Sequence, residues 1–592
     1  MSLLRRLRDV YAREGLIGLR RRLITRLAGA EPVAPRVIEP ILLNLDHPDL
    51  DQSLSDRIWI GGWAVSRSGV TRVQVGLDDA PQGAAHLGIG RPDLAKLYPE
   101  FEGAWQSGFT FPLDTNKYRD GQHELSLIVT SGEGRREAFL FALEIDNRQS
   151  DYQRWLAAHA EDPAPTEDDG IAFLITQGDN IPMPATDGAA TNYLMALDPS
   201  DRLAPQALAR LAAAAREQDF PDLIYGDEDL IEADGQRHSP AFKPGWSPTL
   251  LEAVNYIGRP WALRADRLES LGLAWPPDDD HAFLQRLAES KPRVAHVADV
   301  LCSRAERAPR PNAPSTRPRP PSRPKVSAVV PTKAGSDLIR NCLTSLAEKT
   351  AYDDLELILL ANPAPGDQAA EAFLANFPAK KIEMTGPFNW SAYNTQGAAA
   401  ASGEVLVFAN DDLEPIAEDW VEALLEHAVK PTVGPVGAKL LYGDERVQHC
   451  GMFLVEEGGG NRHAFRFLER DDPGYLGLAA LPREVIAVTG ACLMVERQKF
   501  ERLEGFDEAL ALTHNDLDFC LRAREAGLSS VVTPHALLYH HERVTRRMMP
   551  EDADTALFRE RWRTLYEAGD PYYNSNLAKD RDDYAIAAPK RG

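Results

Sequence analysis

The sequence lacks three features that would assign it to familiar classes of protein. It has only five cysteines in 592 residues, and their spacing fits neither a disulfide framework nor a zinc site. No run is apolar over the length needed to cross a bilayer, and no signal peptide is recognised. Basic residues are scarce, 65 against 89 acidic ones, and a net charge of -24 argues against nucleic acid as a partner. The cysteine pattern suits the reducing cytoplasm, and a length of 592 residues predicts several domains.

The N-terminus departs from this acidic balance. Residues 1–30 are rich in arginine, and their leucines and isoleucines recur at roughly helical spacing. A basic amphipathic helix can lie on an anionic membrane, which predicts peripheral attachment to the inner membrane. The alternative is a helix docked on the next domain, or a frayed terminus.

Short alternating strands separated by turn residues follow in residues 37–147 and predict a small accessory β-sandwich. Trp59, Trp63 and Trp105 have the chemistry to stack on sugar rings. Packing within the core or between domains is the better account of these side chains.

The stretch Phe388–Glu414 is the most informative part of the chain. A helix of small residues precedes an apolar strand, 405–409, which breaks off at Asn410, Asp411 and Asp412. Ligands bind at the carboxyl ends of strands in α/β sheets. Buried carboxylates need a positive partner, and a divalent cation carrying a diphosphate supplies one. The alternative is an acidic turn that merely ends the strand.

Three more motifs follow in a fixed order. Gly490 precedes an apolar strand, a helix begins with Asn515 as its N-cap and Asp516 in its first turn, and a later strand ends at His540. Together they resemble the catalytic domain of family-two inverting glycosyltransferases with the GT-A fold. The likeness is greatest to bacterial O-antigen and rhamnosyl transferases, and it covers roughly residues 326 to 580.

The resemblance implies a mechanism. Asp412 falls at the metal carboxylate of the family's DXD motif, and His540 falls near the metal and the diphosphate. Asp516 matches the base that takes a proton from the acceptor hydroxyl as it attacks the anomeric carbon. Mg²⁺ or Mn²⁺ is the implied Lewis acid on the leaving nucleoside diphosphate. The donor-binding positions implied in the same way are Pro331, Thr332, Asn394, Asp411 and Gly490.

Each of these assignments has a plainer alternative, and the chain departs from the family pattern in places. Asp516 also suits a helix start favoured by the macrodipole, and His540 suits a buried, hydrogen-bonded histidine. Ala361 stands where the family has an aspartate that binds the nucleotide base, which predicts altered base recognition. After His540 the serine-rich family pattern is only partly kept, by Thr545 and Arg546.

A second transferase-like stretch lies upstream, at residues 151–305. Ser200 stands where a metal aspartate is expected, Asp280 keeps part of the base motif, and the first half is short for a nucleotide-binding unit. We interpret this stretch as a degenerate, truncated GT-A-like domain that serves as a scaffold. The remaining predicted segments are a Pro/Arg-rich linker at 306–325, the catalytic domain at 326–547, and a C-terminal helix and tail at 548–592.

The predicted function is metal-dependent inverting transfer of a sugar from a nucleotide-sugar donor. The acceptor is a hydroxyl of a lipid-linked or growing surface polysaccharide. The alternative is a non-catalytic glycan-binding or assembly scaffold that keeps the fold. Turnover of nucleotide sugars distinguishes the two.

Overall fold

The computed structural model describes residues 41–50, 52–101, 103–147, 150–159, 171–177, 191–306, 320, 322–332, 337–362, 368–455, 460–541 and 553–587. The chain divides into two compact units, Met1–Ser150 and Asp151–Gly592. The predicted N-terminal helix, most of the linker, and Thr545 and Arg546 lie outside the described residues. No helix in the described ranges is both long and apolar enough to cross a membrane.

The first unit is a β-sandwich, as the alternating pattern predicts. Its sheets have the strand orders β1-β3-β7-β6 and β2-β9-β8-β4-β5. In β8, the buried residues Leu125, Leu127 and Val129 alternate with half-exposed ones and pack against residues of the other sheet. The elements are β1 Leu42–His47, β2 Ser53–Leu54, β3 Arg57–Val65, β4 Val70–Leu77, β5 Ala80–Ala84, β6 His86–Ile89, α1 Pro92–Leu97, β7 Gly108–Asp114, β8 Gly121–Ser131 and β9 Arg136–Ile145.

The second unit begins with a mixed seven-stranded sheet flanked by helices. Its strand order is β10-β11-β15-β13-β16-β12, and β14 pairs with β13. Separate apolar clusters fill its two faces. The elements are α2 Asp151–His159, β10 Ile171–Gln177, β11 Thr191–Leu197, β12 Arg202–Leu203, α3 Ala207–Glu217, β13 Leu223–Ile231, β14 Arg237–Ala241, α4 Pro248–Ala253, β15 Trp261–Arg264, α5 Ala265–Leu271, α6 Asp280–Glu289 and β16 Val294–Arg304.

A mixed ten-stranded sheet follows in the same unit. Its strand order is β19-β18-β17-β20-β27-β22-β28-β21, with β23 on β22 and β26 on β28, and β24 and β25 form a separate hairpin. The elements are β17 Val326–Thr332, α7 Asp337–Glu348, β18 Leu355–Ala361, α8 Gln368–Asn376, β19 Lys380–Glu383, α9 Trp390–Ala400, β20 Val405–Ala409, β21 Leu413–Pro415, α10 Trp420–Ala428, β22 Val433–Leu441, β23 Val447–His449, β24 Met452–Val455, β25 Gly460–His463, β26 Arg483–Val485, β27 Cys492–Glu496, α11 Arg497–Arg502, α12 Asn515–Glu525, β28 Ser529–His540 and α13 Ala553–Ala568.

The two mixed sheets share one topology. The order β10-β11-β15-β13-β16-β12 corresponds strand for strand to β17-β20-β27-β22-β28-β21, with the same parallel and antiparallel pairings. The described residues of the upstream sheet contain no counterpart of β18 and β19. The α/β class, the repeated sheet and the absence of these two strands from its described upstream copy agree with the sequence-based expectation.

Continuous apolar strands place the loops of the C-terminal sheet. All residues of β17 and β20 are buried, as is usual for parallel strands covered on both faces. Helix α9 packs closely on this sheet, because a Cβ at Gly397 would lie 2.3 Å from a Val329 methyl carbon. Small residues in α9 thus let the helix approach β17 and β18, and its first turn reaches the loop after β20.

Candidate active site

The acidic loop lies directly after β20. The backbone amide of Asn410 donates to the Ala491 carbonyl at 2.9 Å, which fixes the loop against the start of β27. Asp411 accepts a hydrogen bond from the hydroxyl of Thr332, the last residue of β17, at 2.6 Å. Burial raises the pKa of Asp411 against the opposing effect of the Thr332 hydrogen bond, and the charge of Asp412 raises it further. A nearby cation would stabilise the ionised loop.

His540 is the last residue of β28, and its orientation is set by Gln448. The ring Nδ1–H donates to Gln448 Oε1 at 2.6 Å, and Gln448 Nε2 donates to the His540 carbonyl at 3.3 Å. In the neutral ring Nε2 is then the nitrogen with the lone pair, and it accepts from Asn410 Nδ2 at 3.2 Å. The same Nε2 lies 3.2 Å from Asp412 Oδ1.

The pair formed by Asp412 and His540 fits a divalent cation. Two adjacent ligands of an octahedral ion at about 2.1 Å are about 3 Å apart, close to the 3.2 Å between Asp412 Oδ1 and His540 Nε2. No group of three or more His, Cys, Asp or Glu able to hold a metal occurs in the described part of the chain. The other ligands of such an ion would come from a diphosphate and water, which is the usual arrangement for Mg²⁺.

Asp516 is half-buried in the first turn of α12. Its Oδ2 accepts from the Gly490 amide at 2.8 Å and its Oδ1 accepts from the Leu517 amide at 2.8 Å. Each oxygen keeps a second lone pair for a proton. The prediction that Asn515 caps the helix is wrong: α12 begins at Asn515 and the cap is His514, whose backbone is left-handed with φ of 60°. The N-terminal turn is therefore set by the loop before the helix.

Trp390, the first residue of α9, connects the two halves of the site. Its indole N–H donates to Asn410 Oδ1 at 3.4 Å. A Cβ at Gly490 would lie 2.8 Å from the Trp390 ring and 3.3 Å from the Cβ of Asp516. The ring thus lies between the acidic loop and the Gly490–Asp516 pair, and it requires glycine at position 490.

Other predicted donor contacts are placed differently. Pro331 is buried within β17. Asn394 is completely buried, and its side-chain amide donates to the Trp390 carbonyl at 2.9 Å. Gly490 directs its amide to Asp516. The structure therefore brings together Thr332, Asp411, Asp412, His540, Gly490 and Asp516, whereas Pro331 and Asn394 support the surrounding fold.

Ala361 ends β18 opposite Thr332, so it lies at the strand end where the base contact is expected. The neighbouring Asn362 side chain donates to the Tyr393 hydroxyl at 2.9 Å and to the Gly386 carbonyl at 3.3 Å. The Asn362 side-chain amide therefore lies next to position 361, where the family has its aspartate.

Sequence reasoning did not identify Trp390 or Gln448 as site residues. Trp390 follows Asn389, whose side chain accepts from the Ala392 amide at 2.9 Å, so a helix start was the only available signal. Gln448 carried no signal, because it lies 92 positions from His540 in a strand of its own.

The upstream sheet carries arginines where the C-terminal sheet carries its candidate site. Arg304 ends β16 as His540 ends β28, and it lies 3.1 Å from Asp198 and 3.4 Å from Asp201, in the loop between β11 and β12. Arg259 lies 2.6 Å from Asp280 at the start of α6. These guanidinium groups neutralise the remaining carboxylates, which supports the scaffold interpretation of this sheet.

Comparison with known proteins gives a family for part of the chain. Residues 327–503 match the family model described as "Glycosyl transferase family 2". The chain is 31% identical over 455 residues to uncharacterized protein y4gI of Sinorhizobium fredii, covering 67% of this chain and 50% of that protein. It is 32% identical over 434 residues to the O-antigen biosynthesis protein RfbC of Myxococcus xanthus, covering 66% of this chain and 34% of that protein.

A third relative is shorter. The N-acetylglucosaminyl-diphospho-decaprenol L-rhamnosyltransferase of Mycobacterium tuberculosis is 28% identical over 206 residues, covering 31% of this chain and 66% of that protein. The chain thus spans half or less of the first two relatives. The family match ends at residue 503, before Asp516 and His540.

Proposed function

Starting from the glycosyl transferase family 2 domain of residues 327–503, we propose that this chain is a metal-dependent, inverting glycosyltransferase. It transfers a sugar from a nucleotide-sugar donor to a hydroxyl of a lipid-linked or growing surface glycan. The basic residues 1–30 hold it at the membrane where such an acceptor lies. One observation carries the proposal: Asp412 and His540 face each other on one side of Trp390, and Asp516 lies on the other.

The donor side of the site holds negative charge. Asp412 and His540 would hold Mg²⁺ or Mn²⁺, which supplies a Lewis acid for the leaving diphosphate when bound. Thr332 orients Asp411, and Gln448 orients His540, so neither side chain must reorganise when the donor binds.

The acceptor side needs a base. The Gly490 and Leu517 amides fix the carboxylate of Asp516 and leave a lone pair on each oxygen. Asp516 takes the proton of the acceptor hydroxyl while that oxygen attacks the anomeric carbon opposite the nucleotide. Such general-base assistance is typically worth about 10²–10⁴ in rate.

Turnover tests this proposal. The purified protein is incubated with Mn²⁺, a glycan acceptor and a panel of nucleotide sugars, and nucleoside diphosphate release and product anomer are measured. We expect release by the wild type with inversion at the anomeric carbon, about 10²–10⁴-fold less with Asp516→Asn, and loss of metal dependence with Asp412→Asn. Equal rates for wild type and Asp516→Asn would refute the assigned base.

The second candidate is a glycan-binding or assembly scaffold, and Ala361 at the end of β18 favours it. A scaffold would be stabilised by glycan without releasing nucleotide from any donor. The same panel, followed by thermal melting with and without glycan, separates the two functions. A scaffold shows a higher melting point with glycan and no nucleotide release, whereas the enzyme releases nucleoside diphosphate.

A further inference from the structure

The C-terminal helix α13 packs one face against the segment that leads into α12. Asp554, Phe558 and Trp562 lie at intervals of four residues and are 8%, 0% and 5% exposed. This spacing puts them on one side of the helix. Because α13 and this segment both follow residue 503, they lie outside the region that matches the family.

The first turns of α13 hold the loop before Asp516. Asp554 Oδ2 accepts from the amides of Leu512 at 2.8 Å and Thr513 at 3.1 Å. The His514 ring stacks on Phe558 with centroids 4.7 Å apart, and its Nε2 lies 3.2 Å from Thr555 Oγ1. His514 has φ of 60°, a conformation uncommon outside glycine, so these contacts stabilise a turn that the loop would rarely adopt alone.

The later turns of α13 hold the helix that carries Asp516. Asp518, which is fully buried, accepts from Arg561 Nη1 at 2.7 Å and from Trp562 Nε1 at 3.0 Å, besides Arg522 Nε at 2.8 Å in its own helix. The second nitrogen of Arg561 bonds Asp507 Oδ2 at 2.6 Å. Arg561 therefore joins both ends of the segment 507–518. A buried carboxylate requires such partners, and removing one is strongly destabilising.

We propose that α13 is a clamp that positions Asp516 for proton abstraction, with Arg561 as its principal positioning residue. This role rests on the proposed function of Asp516 as the base. The clamp fixes the residues on either side of Asp516, Thr513 and Asp518, and so keeps Asp516 Oδ2 at the Gly490 amide. Misplacement of a reacting group by about 1 Å can cost about 10²-fold in rate.

Amide exchange tests the clamp without any substrate. Arg561→Ala removes the bonds to Asp507 and Asp518, and Arg561→Lys keeps the charge. Arg563→Ala, an exposed arginine on the same helix, is the matched control. We expect amides of residues 510–518 to exchange about tenfold faster in Arg561→Ala than in the control. Equal protection of these amides in the Arg561→Ala and Arg563→Ala proteins would overturn the proposal.

Kinetics test what the clamp does for the reaction. In Arg561→Ala we expect kcat to fall about 10- to 100-fold with the donor KM within about twofold, because Asp412 and His540 are untouched. Arg561→Lys should restore much of the lost kcat, because it keeps a cation beside Asp518.

The two arms also separate this proposal from the proposed function. A higher donor KM at unchanged kcat would reject the positioning role. If the wild type transfers no sugar, the assignment of Asp516 as the base is rejected. The clamp proposal is then rejected too, whatever the exchange result, because it rests on that assignment. If the wild type is active and Arg561→Ala matches Arg563→Ala in both measurements, only the clamp is rejected.

Discussion

One hydrogen bond at His540 decides which ring nitrogen faces Asp412. Gln448 Oε1 accepts a hydrogen bond from the Nδ1–H group at 2.6 Å, so the lone pair of Nε2 faces the acidic loop. Partners of this kind fix the tautomer and ring orientation of histidine ligands, and their loss typically lowers metal affinity about 10- to 100-fold.

The first prediction concerns this residue. Gln448→Leu should weaken Mn²⁺ binding about 10- to 100-fold, because the imidazole loses the acceptor that holds its Nδ1 proton. Calorimetric titration of the wild type and the variant with Mn²⁺ measures the change. Gln498→Leu, at an exposed position of α11, is the matched control. An unchanged dissociation constant in Gln448→Leu would show that His540 is not a ligand.

Much of the site was predictable at the residue scale. The acidic loop was recognised because a fully apolar strand ends there, and Asp516 because its motif resembles that of the family's base. Asn394 shows the limit of the same reasoning. A polar residue in a helix of small residues is equally compatible with a ligand contact and with a buried hydrogen bond. Its complete burial depends on how α9 packs on the sheet.

Among the elements, β26 and α4 form a polar contact in the interior of the second unit. Both oxygens of Glu484 receive hydrogen bonds at the start of α4, from the Thr249 hydroxyl at 2.6 Å, the Thr249 amide at 3.1 Å and the Ser247 hydroxyl. Glu484 is 4% exposed, and burial raises its pKa against these hydrogen bonds. The carboxylate satisfies donors of a helix N-terminus that would otherwise be buried without partners.

The second prediction follows from this contact. Glu484→Ala should lower the free energy of unfolding by about 2–4 kcal/mol, because buried donors of Ser247 and Thr249 lose their acceptor. Urea unfolding measures it, and Glu469→Ala, at a side chain 67% exposed, should change stability by less than about 0.5 kcal/mol. Equal stability of the two variants would show that this contact contributes nothing to the association of the elements.

In the whole molecule, a transferase-like sheet occurs twice, and the two copies differ in the side chains that lie at the ends of corresponding strands and helices. Arg304 and Arg259 lie against Asp201 and Asp280 in the upstream copy. In the C-terminal copy, His540 holds the place of Arg304, and the half-buried Asp516 holds the place of Asp280. A guanidinium cannot be deprotonated in a protein, so it keeps the upstream carboxylates paired, which supports the scaffold interpretation of this sheet.

The third prediction compares the two copies directly. Asp280→Asn should leave the transfer rate within about twofold of the wild type, whereas Asp516→Asn removes most of it. The same variant should lose roughly 3 kcal/mol of stability, because Arg259 is 9% exposed and loses its charged partner. Nucleoside diphosphate release and thermal unfolding measure the two effects. A rate as low as that of Asp516→Asn would assign catalysis to the upstream sheet.

By itself, the sequence determined the elements and motifs whose signals are local. Apolar runs, alternating strands and the acidic loop after β20 are determined by neighbouring residues, because periodicity and turn chemistry act over a few positions. The truncated repeat was identified from its resemblance to the family. The tertiary structure alone decided that Trp390 lies between Asn410 and Gly490, that Gln448 orients His540, and that Arg561 holds Asp518. These partners are separated by tens of residues, and only the packing of the sheet and its helices brings them within hydrogen-bonding distance.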